Sequence, residues 1–173
     1  MAPRRRTRVA AAGAALAVAL AAGALWYLRL RPAPLSPDGA AAGAGGYVAV
    51  GENLYAVVRP FYDGSVRETV RVRAVRVRGV PDGMTIVAVH AVAARPGTVI
   101  GAGPEGRGYD FRPVREVVLH PGQGEQWMFV VVAHVTRPGR FVSQGVDVDW
   151  SAGIRHGTTR YDLRVLVDTS TSP

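Results

Sequence analysis

The stretch Val70-Arg71-Val72-Arg73-Ala74-Val75-Arg76-Val77-Arg78 decides the class of fold. Valine and arginine alternate along it, as they do in a β-strand with one buried face and one wet face. The alternation changes parity between Ala74 and Val75, and a regular strand would therefore carry arginines into the core. We predict a β-bulge at this point, because one extra residue restores a single apolar face.

The chain beyond this stretch has the composition of strands. From Tyr47 onward it contains 26 Val against four Leu and three Ile, and branching at Cβ favours strands over helices. Residues 128–133, MFVVVA, are apolar on both faces and predict a central strand. The remaining predicted strands are 47–59, 85–94, 114–120, 126–136, 145–150 and 160–168.

Pro-Gly and Asp-Gly pairs separate most of these strands, and no helical pattern lies between them. Sheets of this kind must bury their apolar faces against each other. The sequence therefore predicts an all-β fold, an immunoglobulin-like antiparallel β-sandwich of about seven strands, for residues 47–168. Residues 169–173 are expected to be a disordered tail.

The N-terminal region differs sharply from this domain. Residues 9–28 are uncharged and include ten alanines, and a helix of that length matches the hydrocarbon thickness of a bilayer. Arg4, Arg5, Arg6 and Arg8 precede the run, which places residues 1–8 in the cytoplasm and the domain outside. We expect a transmembrane signal anchor at 9–28 and a linker rich in Pro, Gly and Ala at 29–46. The alternative is a cleaved signal peptide and a secreted domain.

The pattern of the second half resembles a family. A valine-rich strand is followed by LHPGQG at 119–124, a strand ending at Thr136, Pro138-Gly139, and GVDVDW at 145–150. Over residues 66–168 this order is similar to the ectodomain of uncharacterised single-pass envelope proteins of high-GC Gram-positive bacteria. The resemblance implies an immunoglobulin-like sandwich without an assigned reaction, and it transfers no functional residue.

Composition excludes several kinds of chemistry. The 173 residues contain no Cys and no Lys, which excludes thiolate metal sites, cysteine nucleophiles, Schiff-base lysines and a Walker phosphate loop. From Tyr47 onward 15 Arg oppose 12 acids, so the net charge of +8 falls to +3 for the domain. Aromatic residues do not interleave with the arginines, and we expect no nucleic-acid binding.

Gly101-Ala102-Gly103-Pro104-Glu105-Gly106 matches the glycine spacing of a dinucleotide fingerprint. That fingerprint requires a helix to begin at the glycines, whereas Gly108 and Pro113 interrupt the residues that follow. We interpret the motif as a glycine-rich loop and expect no cofactor. Ser65, Ser143 and Ser151 lie in turn or strand-edge contexts, and we expect no catalytic residue.

Three sets of residues remain candidates for binding. His90, His134 and Met128 offer soft ligands for copper if their strands pair, against the interpretation of partly buried histidines bonded to the backbone. Arg71, Arg73, Arg76 and Arg78 form an arginine ladder that suits anionic lipid headgroups or wall polymers, against that of a solvated, edge-protecting face. Asp147 and Asp149 share one strand face, either as solvated groups or as two oxygen ligands for Ca²⁺.

These patterns together predict a non-catalytic, membrane-anchored interaction or structural module of the bacterial cell envelope. Its expected partners are the membrane and another envelope protein. The alternatives are an exported metal-binding accessory protein that uses the His90, His134 and Met128 set, and a binder of anionic wall polymer or lipid headgroups.

Overall fold

The computed structural model describes residues 16–27, 30–37, 44–62, 64–94, 102–103, 109–122 and 126–169. The chain separates into two compact units, residues 1–33 and 34–173. In the first unit residues 16–27 form an α-helix whose side chains are exposed. Among the described residues, no helix combines the length and the apolar character that a membrane crossing requires. The predicted N-terminus 1–8, residues 9–15 of the predicted anchor and residues 170–173 of the tail lie outside the described part.

The second unit is built almost entirely of strands, as the valine-rich composition predicts. The strands are β1 (Ala44–Tyr47), β2 (Asn53–Val58), β3 (Val70–Arg78), β4 (Met84–Ala93), β5 (Ala102–Gly103), β6 (Arg112–Pro113), β7 (Val118–Leu119), β8 (Trp127–Val135), β9 (Arg140–Val142), β10 (Gly145–Ala152), β11 (Arg155–Tyr161) and β12 (Val165–Asp168). A short 3-10 helix, Val114–Glu116, lies between β6 and β7.

These strands form three sheets. The five-stranded sheet has the order β5-β2-β8-β4-β6, the four-stranded sheet β11-β10-β3-β7, and the three-stranded sheet β1-β12-β9. All neighbours are antiparallel except β1 and β12, which run parallel. Inward-facing side chains of all three sheets join in one hydrophobic core. A mainly antiparallel, all-β fold is therefore confirmed.

The predicted bulge in β3 is confirmed. Ala74 lies opposite Asp149, but the next pair is Val72 with Trp150, so Arg73 is the extra residue on β3. Val70, Val72 and Val75 are buried as a result, while Arg71, Arg73 and Arg76 stay exposed. The bulge thus corrects the change of parity that the sequence contains.

The prediction of a central strand at 128–133 is also confirmed. Strand β8 lies between β2 and β4, and every residue from Met128 to Ala133 is buried. One face of β8 joins the main core, and the other packs in a second cluster with Val57 and Val92, flanked by Tyr109 and Phe111. Both faces are covered, and a continuous apolar run is the sequence pattern that this position requires.

Three predicted strands are wrong in their bounds. Strand 47–59 is divided by a turn at Gly51, whose positive φ of 88° suits glycine. Strand 114–120 begins as the 3-10 helix, and only Val118–Leu119 is extended. Strand 160–168 is two strands, because residues 162–164 carry the chain from the four-stranded to the three-stranded sheet.

The predicted linker 29–46 also needs correction. Leu35 is fully buried in the main core and forms a bridge with Val66. Strand β1 begins at Ala44 and pairs with β12. Parts of this stretch therefore belong to the folded unit, because a single leucine can be buried, and a short glycine strand can pair with a neighbour, without an amphipathic pattern.

Aromatic side chains occupy the centre of the core. The Phe61 ring meets the rings of Phe129 and Tyr161 edge-on, at centroid distances of 5.6 and 6.2 Å. Trp150 is also buried, and its Nε1–H donates to Thr159 Oγ1 at 3.0 Å. The buried indole N–H is therefore satisfied, as such a group requires.

Removal of the Tyr161 hydroxyl is expected to stabilise the folded protein. The Tyr161 hydroxyl is buried without a hydrogen-bond partner among the described residues. Burial, and to a smaller extent nearby Tyr62, raises the pKa of Tyr161 above its ordinary 10.0. Tyr161→Phe should raise the free energy of unfolding by about 1 kcal/mol, because it removes an unsatisfied polar group.

Tyr161→Phe also tests how the stability of the folded protein depends on pH. Above pH 10.0 the unfolded chain releases the Tyr161 proton while the folded chain retains it, so stability should fall as pH rises. Urea denaturation at neutral pH and at pH about 11 should show a smaller decline in Tyr161→Phe than in the unmodified protein. Destabilisation by Tyr161→Phe at neutral pH would contradict the assignment, since it would reveal a partner for the hydroxyl.

Candidate functional site: an arginine face, a cleft and a groove

The outer surface of the four-stranded sheet is an arginine face, formed by β3, β10 and β11. Alternation along β10 turns Val146, Val148 and Trp150 inward and leaves Asp147 and Asp149 on the outer surface, as predicted. The four arginines of β3 lie beside these aspartates because β3 and β10 are neighbours. The predicted ladder therefore exists as one surface, and it contains its own counter-charges.

The ladder arginines pair diagonally with β10. Arg78 Nε lies 2.7 Å from Asp147 Oδ1, with side-chain exposures of 29% and 13%. Arg76 donates to Asp149 Oδ1 at 2.8 Å, with exposures of 62% and 23%. Arg73 Nε donates to Ser151 Oγ at 2.8 Å. Two of the four arginines thus already hold a carboxylate, which reduces the positive charge available to an anionic ligand.

The aspartate pair is engaged in the same network. Asp149 Oδ1 also accepts a hydrogen bond from Thr158 Oγ1 at 2.6 Å. No group of three or more metal-ligating His, Asp or Glu side chains occurs within the described residues. Asp147 and Asp149 therefore act here as partners of arginine rather than as paired calcium ligands.

A concave site, called here the arginine cleft, lies where the chain passes from β6 to β7. It has a volume of about 540 Å³ and is lined by Arg73, Val89, His90, Phe111, Arg112, Pro113, Val114 and Arg115. The His90 ring lies 4.8 Å from the Phe111 ring, which also stacks on Tyr55 at 6.1 Å. Arg112 is held by Asp110 at 3.1 Å. The cleft combines guanidinium groups with an aromatic wall, which suits an anion that carries an apolar part.

Of the residues that line this cleft, sequence reasoning named Arg73 and His90, in two separate candidate sets, and missed Arg112 and Arg115. Those two arginines lie about 40 positions beyond Arg73 in the chain, Arg112 in the short strand β6 and Arg115 in the 3-10 helix. The pairing of β7 with β3 and of β6 with β4 brings them to Arg73 and His90. No local sequence pattern predicts that Arg112 and Arg115 lie near Arg73 and His90, because this placement depends on pairings between strands distant in the chain.

The second concavity, called the groove, lies between β3 and β4 beside the hairpin that joins them. It has a volume of about 650 Å³. Its apolar lining comprises Val75, Val77, Val80, Pro81, Met84, Ile86 and Val89, and Arg76 and Asp82 also line it. Val77, Ile86 and Val89 are only partly buried. At the groove, solvent therefore reaches apolar side chains at the edge of the main core.

Both walls of the groove end in open strand edges. Strand β7 pairs with β3 only at Val70 and Arg71, and β6 pairs with β4 only at His90 and Ala91. Among the described residues, the stretches 74–78 of β3 and 84–89 of β4 therefore have no strand partner on the groove side. The Met84 N–H donates to the Pro81 carbonyl at 3.1 Å. The other outward N–H and C=O groups of these stretches have no strand to bond within the described residues.

The copper candidates are only partly brought together. His90 and Met128 lie on the same face of the five-stranded sheet, at neighbouring pair positions opposite Val130 and Val92. His134 lies four residues beyond Val130, which is about 13 Å along the strand, and its Nδ1 contacts Asn53 Oδ1 at 3.0 Å. The register thus keeps His134 from sharing an ion with the other two.

Ser65 and Ser143 form hydrogen bonds with the backbone, and the described part of the glycine motif at 101–106 is a strand. Ser65 Oγ donates to the Tyr62 carbonyl at 2.8 Å, and Ser143 Oγ accepts from the Val165 N–H at 2.9 Å. Of the glycine motif at 101–106, only Ala102–Gly103 is described, as strand β5 paired with Tyr55 and Ala56. The rest of that motif lies outside the described residues.

No family model matches the chain, and no curated protein shows significant similarity to it.

Proposed function

We propose that the chain is a non-catalytic interaction module of the bacterial cell envelope. In this proposal residues 9–28 anchor the protein in the membrane, and an immunoglobulin-like β-sandwich binds a partner protein outside the cytoplasm. The observation that carries the binding role is the groove, because it combines an apolar lining with two open strand edges. Exposed apolar surface and free strand edges are features that protein partners cover.

The order of the strands supports an immunoglobulin-like architecture. A constant-type domain places strands B, E and D in one sheet and C, F and G in the other. Taken in chain order, β2, β3, β4, β8, β10 and β11 would be strands B to G. The observed neighbours β2-β8-β4 and β3-β10-β11 then match B-E-D and C-F-G. The aromatic contacts of Phe61, Phe129 and Tyr161 occupy the centre of a domain without cysteine.

Charge and exposure at the N-terminus support the anchor. Four of the first eight residues are arginine, and 20 uncharged residues follow. Leu16, Leu20, Leu25 and Trp26 are each more than 60% exposed on the described helix. A lipid environment would cover these side chains, and Trp26 and Tyr27 suit the headgroup layer at its outer end.

A second function, recognition of anionic wall polymer or lipid headgroups, is supported by the arginine cleft. Arg73 and Arg115 reach that cleft beside an aromatic wall, whereas Arg76 and Arg78 already hold aspartates. Binding of this kind should weaken steeply as salt is added. Binding through the apolar groove should change little with ionic strength, which separates the two functions.

The interaction role is tested by site-specific photocrosslinking in intact cells. A photoreactive amino acid at Thr85, which is exposed in the wall of the groove, should capture a specific envelope protein. The matched control is His156, which is exposed on β11 away from the groove. Equal capture at both positions, or no protein captured at Thr85, would contradict the role. The location outside the cytoplasm is tested with a C-terminal tag and a protease added to intact cells. Failure of the protease to cleave the tag would contradict that location.

A further inference from the structure

Resting on this proposed function, we propose that the groove receives an extended polypeptide segment that adds as a further strand to the open edge of β3. The segment would carry apolar side chains towards the groove and acidic side chains towards the arginine face. Strand addition of this kind derives affinity from main-chain hydrogen bonds and specificity from alternate side chains. Four observations on β3, β4 and β10 support it.

The first observation concerns the direction of the backbone groups of β3. The Arg78 carbonyl accepts from the Gln144 N–H at 2.8 Å, so Arg78 faces β10. Alternation then directs the N–H and C=O of Val77 and Val75 to the opposite, open side. At the other end of the strand the Val72 N–H donates to the Val117 carbonyl at 3.0 Å, on that same side. On this side, the edge is thus used at Val72, and from Val75 onward it has no backbone partner among the residues that the structure describes.

The second observation is the pattern of the strand that β3 already accepts. Strand β10 pairs along β3 with Val146 and Val148 turned inward. Asp147 forms an ion pair with Arg78, and Asp149 accepts a hydrogen bond from Arg76. A segment on the other edge of β3 would meet the same arginine row from the opposite side. The sequence pattern of β10 is therefore a template for the segment that the open edge would bind.

The third observation is the charge of the arginine face. Strands β3, β10 and β11 present five arginines outward, Arg71, Arg73, Arg76, Arg78 and Arg160, against Asp147 and Asp149. Asp162, which lies 3.5 Å from Arg78, adds a third carboxylate, so an excess of two positive charges remains on this surface. It attracts an acidic segment and disfavours a second copy of β3, since like charges on facing strands repel.

The fourth observation selects β3 rather than β4 as the docking edge. The register of β4 shifts between Ile86 and Ala88, which leaves Val87 as a bulge in the open stretch. A bulge interrupts the regular spacing that an added strand needs. Beyond Arg73, in contrast, β3 pairs with β10 in a single regular register from Ala74 to Arg78.

The test uses the full-length protein in detergent and two synthetic peptides. One peptide has the β10 sequence GVDVDWSA (residues 145–152), and in the other both aspartates are lysine, GVKVKWSA. Fluorescence anisotropy of labelled peptides should show the acidic peptide binding at least about tenfold more tightly, because it complements the arginine face. Equal binding of the two, or no binding of either, would overturn the proposal.

Val77→Pro provides the matched variant of the protein. Proline removes the open-edge N–H of Val77 but no hydrogen bond to β10, and an edge strand tolerates that change. The acidic peptide should lose at least about tenfold in affinity. If Val77→Pro does not fold, amide hydrogen exchange in the unmodified protein gives the same information. The acidic peptide should then slow exchange at Val75 and Val77, and unchanged exchange there would overturn the proposal.

The outcomes separate this inference from the proposed function. Capture of an envelope protein at Thr85 without any peptide binding would overturn strand addition and leave the interaction role in place. Concentration-dependent dimerisation that Val77→Pro abolishes would assign the edge to a second copy, and would overturn the acidic partner.

Discussion

Phe129→Ala is expected to lower the free energy of unfolding by about 3–5 kcal/mol, the usual cost of deleting a buried phenylalanine ring. Phe129 is fully buried in the central strand β8, where it lies opposite Val58 and Ala91. Its ring meets Phe61 edge-on at 5.6 Å, and that contact is lost together with the buried area. Because a domain of this size is stable by about 5–15 kcal/mol, the variant should be close to unfolding at room temperature.

Urea denaturation followed by tryptophan fluorescence measures this effect. Val87→Ala serves as the control, since Val87 is 58% exposed on β4 and its loss should cost less than about 1 kcal/mol. A cost for Phe129→Ala no greater than that of Val87→Ala would contradict a core centred on these aromatic rings.

Asp147→Ala is expected to lower the free energy of unfolding by about 2–3 kcal/mol. This is less than the usual cost of about 3–5 kcal/mol for breaking a fully buried ion pair, because the Arg78 side chain is 29% exposed. The change leaves the Arg78 guanidinium half-buried between β3 and β10 without its nearest carboxylate. Asp162, at 3.5 Å from Arg78 and almost fully exposed, offers only a weak substitute. The cost arises from desolvation of the remaining charge rather than from the attraction of the original pair.

Asp149→Ala is the matched control for this prediction, because Asp149 lies on the same face and pairs with the more exposed Arg76. It should cost at most about 1 kcal/mol, since water already solvates that arginine. Replacing Arg78 with methionine in the Asp147→Ala background should restore most of the lost stability. Equal costs for the two aspartates in chemical denaturation, or no recovery in the double variant, would contradict this account.

Several features of the fold were predictable because each depends on neighbours in the chain. The change of parity at Ala74 and Val75 indicates a bulge, since no regular strand places both halves of β3 in one core. The unbroken apolar run at 128–133 indicates a strand covered on both faces. The alternation of Val146, Asp147 and Val148 orients β10 without any knowledge of its partners.

The arginine cleft and the ion pairs of the arginine face could not be predicted from the sequence, because pairing between distant strands assembles them. Arg115 and Arg73 share the arginine cleft only because β7 pairs with β3. The arginine ladder was correctly placed on one surface, but its pairing with Asp147 and Asp149 depends on the position of β10. From the sequence, His90 and His134 were equally good candidates for one metal site. The register of β4 on β8 places His90 opposite Val130, four residues from His134 along β8.

By itself the sequence determined which faces of the strands are apolar, where β3 must bulge and which strand is covered on both sides. These properties follow from the two-residue period of an extended chain, which is visible in any short stretch. The tertiary structure alone decided that Leu35 belongs to the core, which arginines obtain aspartates and which strand edges remain open. Those properties depend on contacts between residues far apart in the chain, and no local pattern encodes such distances.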